Sequence, residues 1–419
     1  MTDLLTWLIA FVSTAGVILR PWRVPEAIWA VAGAVALVML GLMPPNAALR
    51  AIGNGTDVYL FLIGMMLLSE AARREGLFDH VAARAAGWAS GSAARLFLLI
   101  YGVGVVVTAF LSNDATAVVL TPAVYAAARA AKAEPLPYLL ICATVANAAS
   151  FVLPISNPAN LVMFAGHMPP LAHWLTRFAV PSLLSITATF VMLRWRLAPG
   201  LQQPIARDIA VPALTGAGIL AAAGIAATAI VLLAASSLDL RLGLPTLLAG
   251  LATAVAVLLR KRQAPWAMAK GISWAVIPLV AGLFVLADSL DRTGVIGVLT
   301  QILRRRVATS VDGTAWGAGV VVGIATNLLN NLPTGLIAAS AVATAHPPDT
   351  VTNAILIGVD LGPNLSVTGS LATILWLAAI RREGQHVSAW RFLKLGAVVM
   401  PPALILALAG ITLARAAGL

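Results

Sequence analysis

Apolar stretches of about 20 residues, each long enough to cross the hydrocarbon core of a bilayer as a helix, recur along almost the whole chain with short polar intervals between them. The longest polar intervals, around 73–95 and 290–312, are loop-sized and leave nothing over for a separate soluble domain. This pattern predicts an all-α polytopic membrane protein with one membrane domain. The first apolar run, 4–19, follows Asp3 and not a basic segment, and it shows no small-residue cleavage site. It reads as a retained helix, not a signal peptide.

The apolar pattern also repeats itself. Segment 64–76, Gly-Met-Met-Leu-Leu-Ser-Glu-Ala-Ala-Arg-Arg-Glu-Gly, matches 282–294, Gly-Leu-Phe-Val-Leu-Ala-Asp-Ser-Leu-Asp-Arg-Thr-Gly, at an offset of 218. Segment 110–117 matches 327–334 at an offset of 217, and 147–150 matches 360–363 at 213. Three matches in one order at nearly one spacing indicate two halves, 1–200 and 205–419. Each half is expected to hold a hairpin and a discontinuous helix, at 95–131 and 137–167 in the first and at 314–345 and 353–380 in the second.

Segment 95–131 would be roughly 55 Å long as one helix at 1.5 Å per residue, too long for a single crossing. If both hairpins are re-entrant, 19 of the 27 Lys and Arg residues fall on one side of the membrane and 8 on the other; if both cross, the split is 16 to 11. The stronger asymmetry favours re-entrant hairpins and five spanning helices per half. Five is odd, so the second repeat is inverted relative to the first, as in secondary transporters built from broken helices. The Arg-rich side is then cytoplasmic, with both termini periplasmic.

Composition agrees: of 419 residues, 60% are hydrophobic and 10% charged, where a soluble domain carries about a quarter charged. The net charge of +11 sits in short clusters between apolar runs, which is a topology signal and not a nucleic-acid surface. The single cysteine, Cys142, allows no internal disulfide and no multi-thiolate metal site. His80, His167, His173, His346 and His386 fall in predicted loops, and no His-Glu-x-x-His, Gly-x-Ser-x-Gly or P-loop occurs. Membrane hydrolysis and ATP-driven pumping by this chain alone lack residues, and no metal or cofactor is implied.

Unwound backbone is tolerated inside a membrane only where protein buries it or it lines a wet cavity, so the helix breaks locate the site. The first break carries Ser112, Asn113, Asp114 and Thr116; the second, Asn147, Ser150, Ser156 and Asn157; the third, Asn330, Asn331 and Thr334; the fourth, Asp360, Asn364 and Thr368. Asn157 followed by Pro158 is an N-cap before the residue favoured at the first helical position, so a half-helix starts there. The polar residues are candidate substrate ligands. Asp114 and Asp360 are candidate proton carriers, because a charged Asp costs several kcal/mol at the bilayer centre unless paired or wet. Glu70 and Asp288 stand where an apolar helix meets arginine, as interface charges do, and the run Arg304 to Arg306 reads as a solvated loop face. Gly319 and Gly323 have the spacing of close helix packing.

The segments 110–122, 146–160, 327–333 and 358–373 resemble the arsenical pump membrane proteins, the arsenite efflux permeases of the ion transporter superfamily, and the similarity runs over essentially the whole chain. The Asp-Leu-Gly-Pro run at 360–363 leading into Gly-Ser-Leu-Ala-Thr at 369–373 is its most specific part. The resemblance implies a bacterial inner-membrane exporter of arsenite and antimonite, driven by proton inflow, that in some hosts pairs with a soluble ATPase subunit. Asn147 stands where some relatives carry Asp, which shifts any proton role there to Asp114 or Asp360. The residues suit such cargo: arsenite at neutral pH is mostly an uncharged triol, and no Arg or Lys lies in any break. A sodium/proton antiporter remains an alternative, since Asp, Asn and free carbonyls also suit Na⁺. A sodium-coupled carboxylate carrier is disfavoured by the missing cations, and a membrane enzyme or a scaffold by the missing catalytic groups.

Overall fold

The structure, a computed structural model, describes residues 2–164 and 168–416. His167, and with it the end of the 137–167 segment, lies outside the described residues. The regular elements among the described residues are all helices, and one succession of them occurs twice. Helices Thr2–Leu19 and Glu26–Met39 open the first half; Gly216–Ser237 and Gly243–Lys261 open the second. A bent pair follows in each, Pro45–Asn54 with Thr56–Arg74 and Pro265–Gly271 with Val276–Arg292, both bent by 47°. Each half then continues with a short helix, a hairpin, a broken helix and a long final helix, Leu171–Leu197 or Ala389–Ala416.

Five described helices are long and apolar enough to cross a bilayer, or seven if each bent pair counts as one span. Shorter apolar helices, Thr2–Val17, Glu26–Met39 and Leu136–Ala148, accompany them.

Both polar intervals expected as loops are helical. Leu77–Trp88 and Val295–Thr309 each start after a glycine at positive φ, Gly76 at 71° and Gly294 at 85°. Glycine adopts this left-handed conformation without a Cβ penalty, and each turns the chain at the end of the preceding helix. Their length and mixed polarity had masked them, because periodicity over 12 or 15 residues interrupted by charge is a weak signal. Arg304, Arg305 and Arg306 are exposed as expected, but on a helix. His80 and His173 also lie in helices, within Leu77–Trp88 and in the first turn of Leu171–Leu197.

The first hairpin runs Ala93–Phe110 to Thr121–Ala130 and the second Val311–Leu329 to Asn331–Ala345. The broken helices are Leu136–Ala148 with Pro158–Met163, and Asp349–Leu361 with Leu371–Arg382. Every residue of Leu136–Ala148 is buried, as is every residue from Val351 to Leu361. Helices apolar on all sides belong in the middle of the molecule. These arms of the broken helices therefore lie in the interior, and the hairpins pack on them.

Small residues make that packing possible. Gly319 and Gly323 of the second hairpin face Gly358 and Gly362 of the second broken helix, backbone against backbone. In lipid, helix association depends on such close approach, since burying apolar surface gains little there.

Candidate functional site

Both hairpin tips hold the same unusual backbone. Ser112 has φ 141° and ψ 165°, and Asn330 has φ 72° and ψ 155°, a region that side chains other than glycine's rarely enter and that costs about 1–3 kcal/mol. Each caps the helix that follows: Ser112 Oγ accepts from the Ala115 N–H at 3.3 Å, and Asn330 Oδ1 from the Leu332 N–H at 3.4 Å. The tips thus pair Ser112 with Asn330, and so Asn113 with Asn331, at an offset of 218 and not the 217 suggested by residue identity. Such strain persists only where the surroundings hold it, and it gathers at functional sites.

The broken helices are tied to each other across the molecule. Asn147 Nδ2 donates to Asn364 Oδ1 at 3.0 Å and to Thr373 Oγ1 at 3.3 Å, while Asn364 Nδ2 donates to the Thr144 carbonyl at 2.9 Å. Trp376 Nε1 donates to the Leu139 carbonyl at 2.8 Å. Nearer the centre, Asn157 caps its half-helix through Oδ1, which accepts from the Ala159 N–H at 3.0 Å, and its Nδ2 donates to Asp360 Oδ1 at 2.8 Å. Asp360 is fully buried, and its second oxygen has no partner among the described residues.

Where the hairpin tips meet the broken helices lies a central cavity lined by Asn113, Asp114, Asn157, Asn331 and Ser370, with Leu62, Val276, Val280, Leu332 and Leu371 completing the wall. No Arg or Lys contributes. The Oδ1 atoms of Asn113 and Asn331, two of the lining residues, are buried and have no hydrogen-bond partner among the described residues. Its volume is about 10 Å³, the space of one water. A second cavity of about 100 Å³ shares Leu62, Asp114, Pro158 and Val276 with it and runs past Met66 and Ser69 to the Glu70–Arg73 pair. A wide vestibule of about 780 Å³ lies beyond Leu161 and Leu336, with Asp57, Asp239, Arg241, Asp288 and Asp291 on its walls. Glu70 is paired with Arg73 at 2.7 Å and Asp288 with Arg292 at 2.8 Å, one turn along their helices.

Of the residues picked out from sequence, the structure brings Asn113, Asp114, Asn157 and Asn331 to the central cavity and places Ser112 beside Asp114 in the second one. The others hold the frame. Thr116 Oγ1 pairs with Thr108 Oγ1 at 2.8 Å, Ser150 Oγ donates to the Ala146 carbonyl at 2.6 Å, and Ser156 Oγ donates to the Ala109 carbonyl at 3.0 Å. Asn330 Nδ2 donates to the Thr368 carbonyl at 3.2 Å, Thr334 Oγ1 to the Asn330 carbonyl at 2.7 Å, and Thr368 Oγ1 to the Asn327 carbonyl at 2.9 Å. With Asn147 and Asn364, these residues bond at the helix breaks and do not line the cavity. Asp360 is sealed away from all three cavities, whereas Asp114, half-buried, lines two.

Sequence reading missed Ser370, the N-cap of the last half-helix, whose Oγ accepts from the Ala372 N–H at 3.1 Å. The repeat itself held the signal: the offset of 213 that relates 147–150 to 360–363 carries Asn157 onto Ser370.

Comparison with known proteins places these features in a family. The Citrate transporter family profile matches residues 8–380. An arsenical pump membrane protein of Escherichia coli is 26% identical over 381 residues, covering 86% of each chain, and one of Yersinia enterocolitica is 25% identical over 374 residues, again 86% of each. An uncharacterized transporter of Mycobacterium tuberculosis is 25% identical over 420 residues, 94% of each chain. Among solved structures, the YdaH transporter of Alcanivorax borkumensis superposes with a TM-score of 0.59 over 88% of each chain at 15% sequence identity, a likeness of fold.

Proposed function

The chain belongs to the Citrate transporter family, a family of membrane transporters and not enzymes, and on that premise we propose that it exports arsenite, and antimonite with it, from the cytoplasm in exchange for protons. The observation that carries this reading is the wall of the central cavity, where Asn113, Asn157, Asn331 and Ser370 supply neutral hydrogen-bonding groups, Asp114 the only charge, and no residue a positive one. A neutral triol can both donate to the free Asn113 and Asn331 oxygens and accept from amide N–H groups. Citrate is a polyanion, and holding it beside Asp114 without Arg or Lys would leave its charges unpaired and desolvated. The relatives named arsenical pump membrane proteins support the same choice.

In this reading the halves 1–200 and 205–419 are inverted repeats, and the hairpin tips and half-helices of both meet at one site near the midplane. Support comes from the twin backbone of Ser112 and Asn330 and the twin 47° bends. The cavity is too tight for a triol as it stands, so the tips separate to admit one. Asp114, reaching both the site and the passage to Glu70, carries the proton. Asp360, sealed against Asn157, orients that amide.

Uptake into inverted vesicles under an imposed proton gradient tests the function. Arsenite is expected to accumulate and to collapse the gradient, with or without sodium, while citrate does neither. Sodium movement coupled to protons without arsenite transport would replace this reading by the antiporter, and citrate uptake by the carboxylate carrier.

Three further outcomes follow from the site and its orientation. Asn113→Ala and Asn331→Ala should each weaken transport a few-fold, at about 1 kcal/mol per neutral hydrogen bond, and the double variant roughly 30-fold. Cys142, buried with its thiol against the Tyr138 carbonyl at 3.8 Å, should tolerate Ser with little change, since one thiol cannot chelate arsenic as three would. Initial-rate efflux measurements check both, and loss of transport in Cys142→Ser with full activity in the asparagine variants would point to thiol chemistry instead. Cysteines introduced at residue 3 and residue 262 should be labelled from outside the cell at 3 only, and labelling at 262 alone would invert the topology.

A further inference from the structure

Away from the transport site, a cavity of about 290 Å³ opens between the ends of three elements: the C-terminal end of Leu171–Leu197, the first turn of Leu136–Ala148 and the first turn of Ala389–Ala416. Arg196, Arg391 and Lys394 line it, and all three are exposed. No ion pair among the described residues involves any of them. Glu134 is the one acidic residue in the wall; its carboxylate lies over Gly200, whose added Cβ would sit 3.6 Å from Oε2. Three cations against one carboxylate leave the cavity wall with a formal charge of about +2.

Two helices begin at this cavity. The positive end of a helix dipole favours an anion at such ends. The Leu136–Ala148 helix has no side-chain cap, and Ala389–Ala416 is capped by Ser388, whose Oγ accepts from the Arg391 N–H at 3.1 Å. Below the cationic rim the wall turns apolar, through Leu136, Leu140 and Leu395. Trp195 and Trp390, next in sequence to Arg196 and Arg391, are 66% and 63% exposed, and exposed tryptophan marks the headgroup level of a bilayer. Lys394 Nζ lies 5.2 Å from the centre of the Trp390 ring, which holds the ammonium at that depth.

We propose that this cavity binds the phosphate of an anionic lipid headgroup, with Arg196, Arg391 and Lys394 around the phosphate and the lipid's glycerol and upper chains against Leu140 and Leu395. The rim answers the phosphate and the apolar wall answers the lipid, which separates this ligand from free phosphate. All three cations lie on the Lys- and Arg-rich side of the molecule, the side whose leaflet attracts basic clusters when it carries anionic lipid. A lipid there would link the last helix to the first broken helix, whose other end carries Asn147.

The test is lipid retention by the full-length protein in detergent, read by native mass spectrometry after titration with phosphatidylglycerol, phosphatidylcholine or inorganic phosphate. Phosphatidylglycerol is expected to bind at one strong site, phosphatidylcholine to bind weakly, and millimolar phosphate not to displace the lipid. Each cation replaced should weaken binding roughly fivefold, so that Arg196→Gln combined with Arg391→Gln and Lys394→Gln loses about a hundredfold. The single variants Arg196→Gln and Lys394→Gln give intermediate losses and guard against a misfolded triple variant. Glutamine at Arg304, Arg305 and Arg306, which line none of the cavities described above, should leave binding unchanged. Equal retention of both lipids, wild-type retention by the single and triple variants alike, or displacement by phosphate would each overturn the proposal.

Discussion

Asp114→Asn is expected to reduce efflux driven by a proton gradient to background while leaving the protein folded and in the membrane. Asp114 is half-buried at the tip of the first hairpin and lines both the central cavity and the passage toward Glu70 and Arg73. It is the one carboxylate that touches the site and also meets a route out of it. No ion pair among the described residues fixes its charge, as the proposed proton role requires. Asparagine keeps the size and hydrogen-bonding reach of the side chain but cannot titrate, so the hairpin should fold as before. Arsenite exchange across vesicles without a gradient should survive in this variant, because exchange needs the site and not the proton. If Asp114→Asn instead kept pH-dependent transport at the normal rate, the proton would have to ride on Asp360, and the sealed position of that residue would then have to open during the cycle.

Gly362→Ala should deplete the folded protein, by a route unrelated to chemistry at the site. A methyl group at Gly362 would overlap the carbonyl oxygen of Gly323, and one at Gly358 would sit 2.5 Å from the carbonyl oxygen of Gly319. These obstacles are backbone, not flexible side-chain ends, so no rotamer change relieves them. Overpacking typically costs 1–3 kcal/mol, and a backbone collision in the middle of the molecule is expected at about 3 kcal/mol or above. Separating the second hairpin from the second broken helix also moves Asn331 away from Ser370, so the protein that does fold should transport poorly. Gly317→Ala is the matched control: it lies on the same hairpin helix with open space around it and should behave as wild type. The amount of protein in the membrane fraction and the melting temperature in detergent report the difference. A wild-type melting temperature for Gly362→Ala would mean that the two helices are not packed through their glycines.

The sequence by itself determined that this chain lives in a membrane, where its helices break, and which glycines pack. Each of these has a local cause. Polar residues inside an apolar run are tolerated only where the backbone unwinds, so Ser112, Asn113 and Asp114, the pair Asn330 and Asn331, and the segments 154–158 and 362–364 announced the breaks directly. The spacing of Gly319 and Gly323 announced the close approach in the same way.

Tertiary structure alone decided which of the polar residues face the site. Asn330 and Asn331 are adjacent and chemically identical, yet one is bonded to the Thr368 carbonyl and the Leu332 N–H while the other lines the cavity, its Oδ1 without a partner among the described residues. Asp114 and Asp360 looked equivalent, and one is open to two cavities while the other is closed off behind an amide 203 positions away in sequence. A side chain's direction at a helix break depends on the phase of the short helix that follows, and that phase is set by packing against the other half of the chain. No local pattern of residues encodes it.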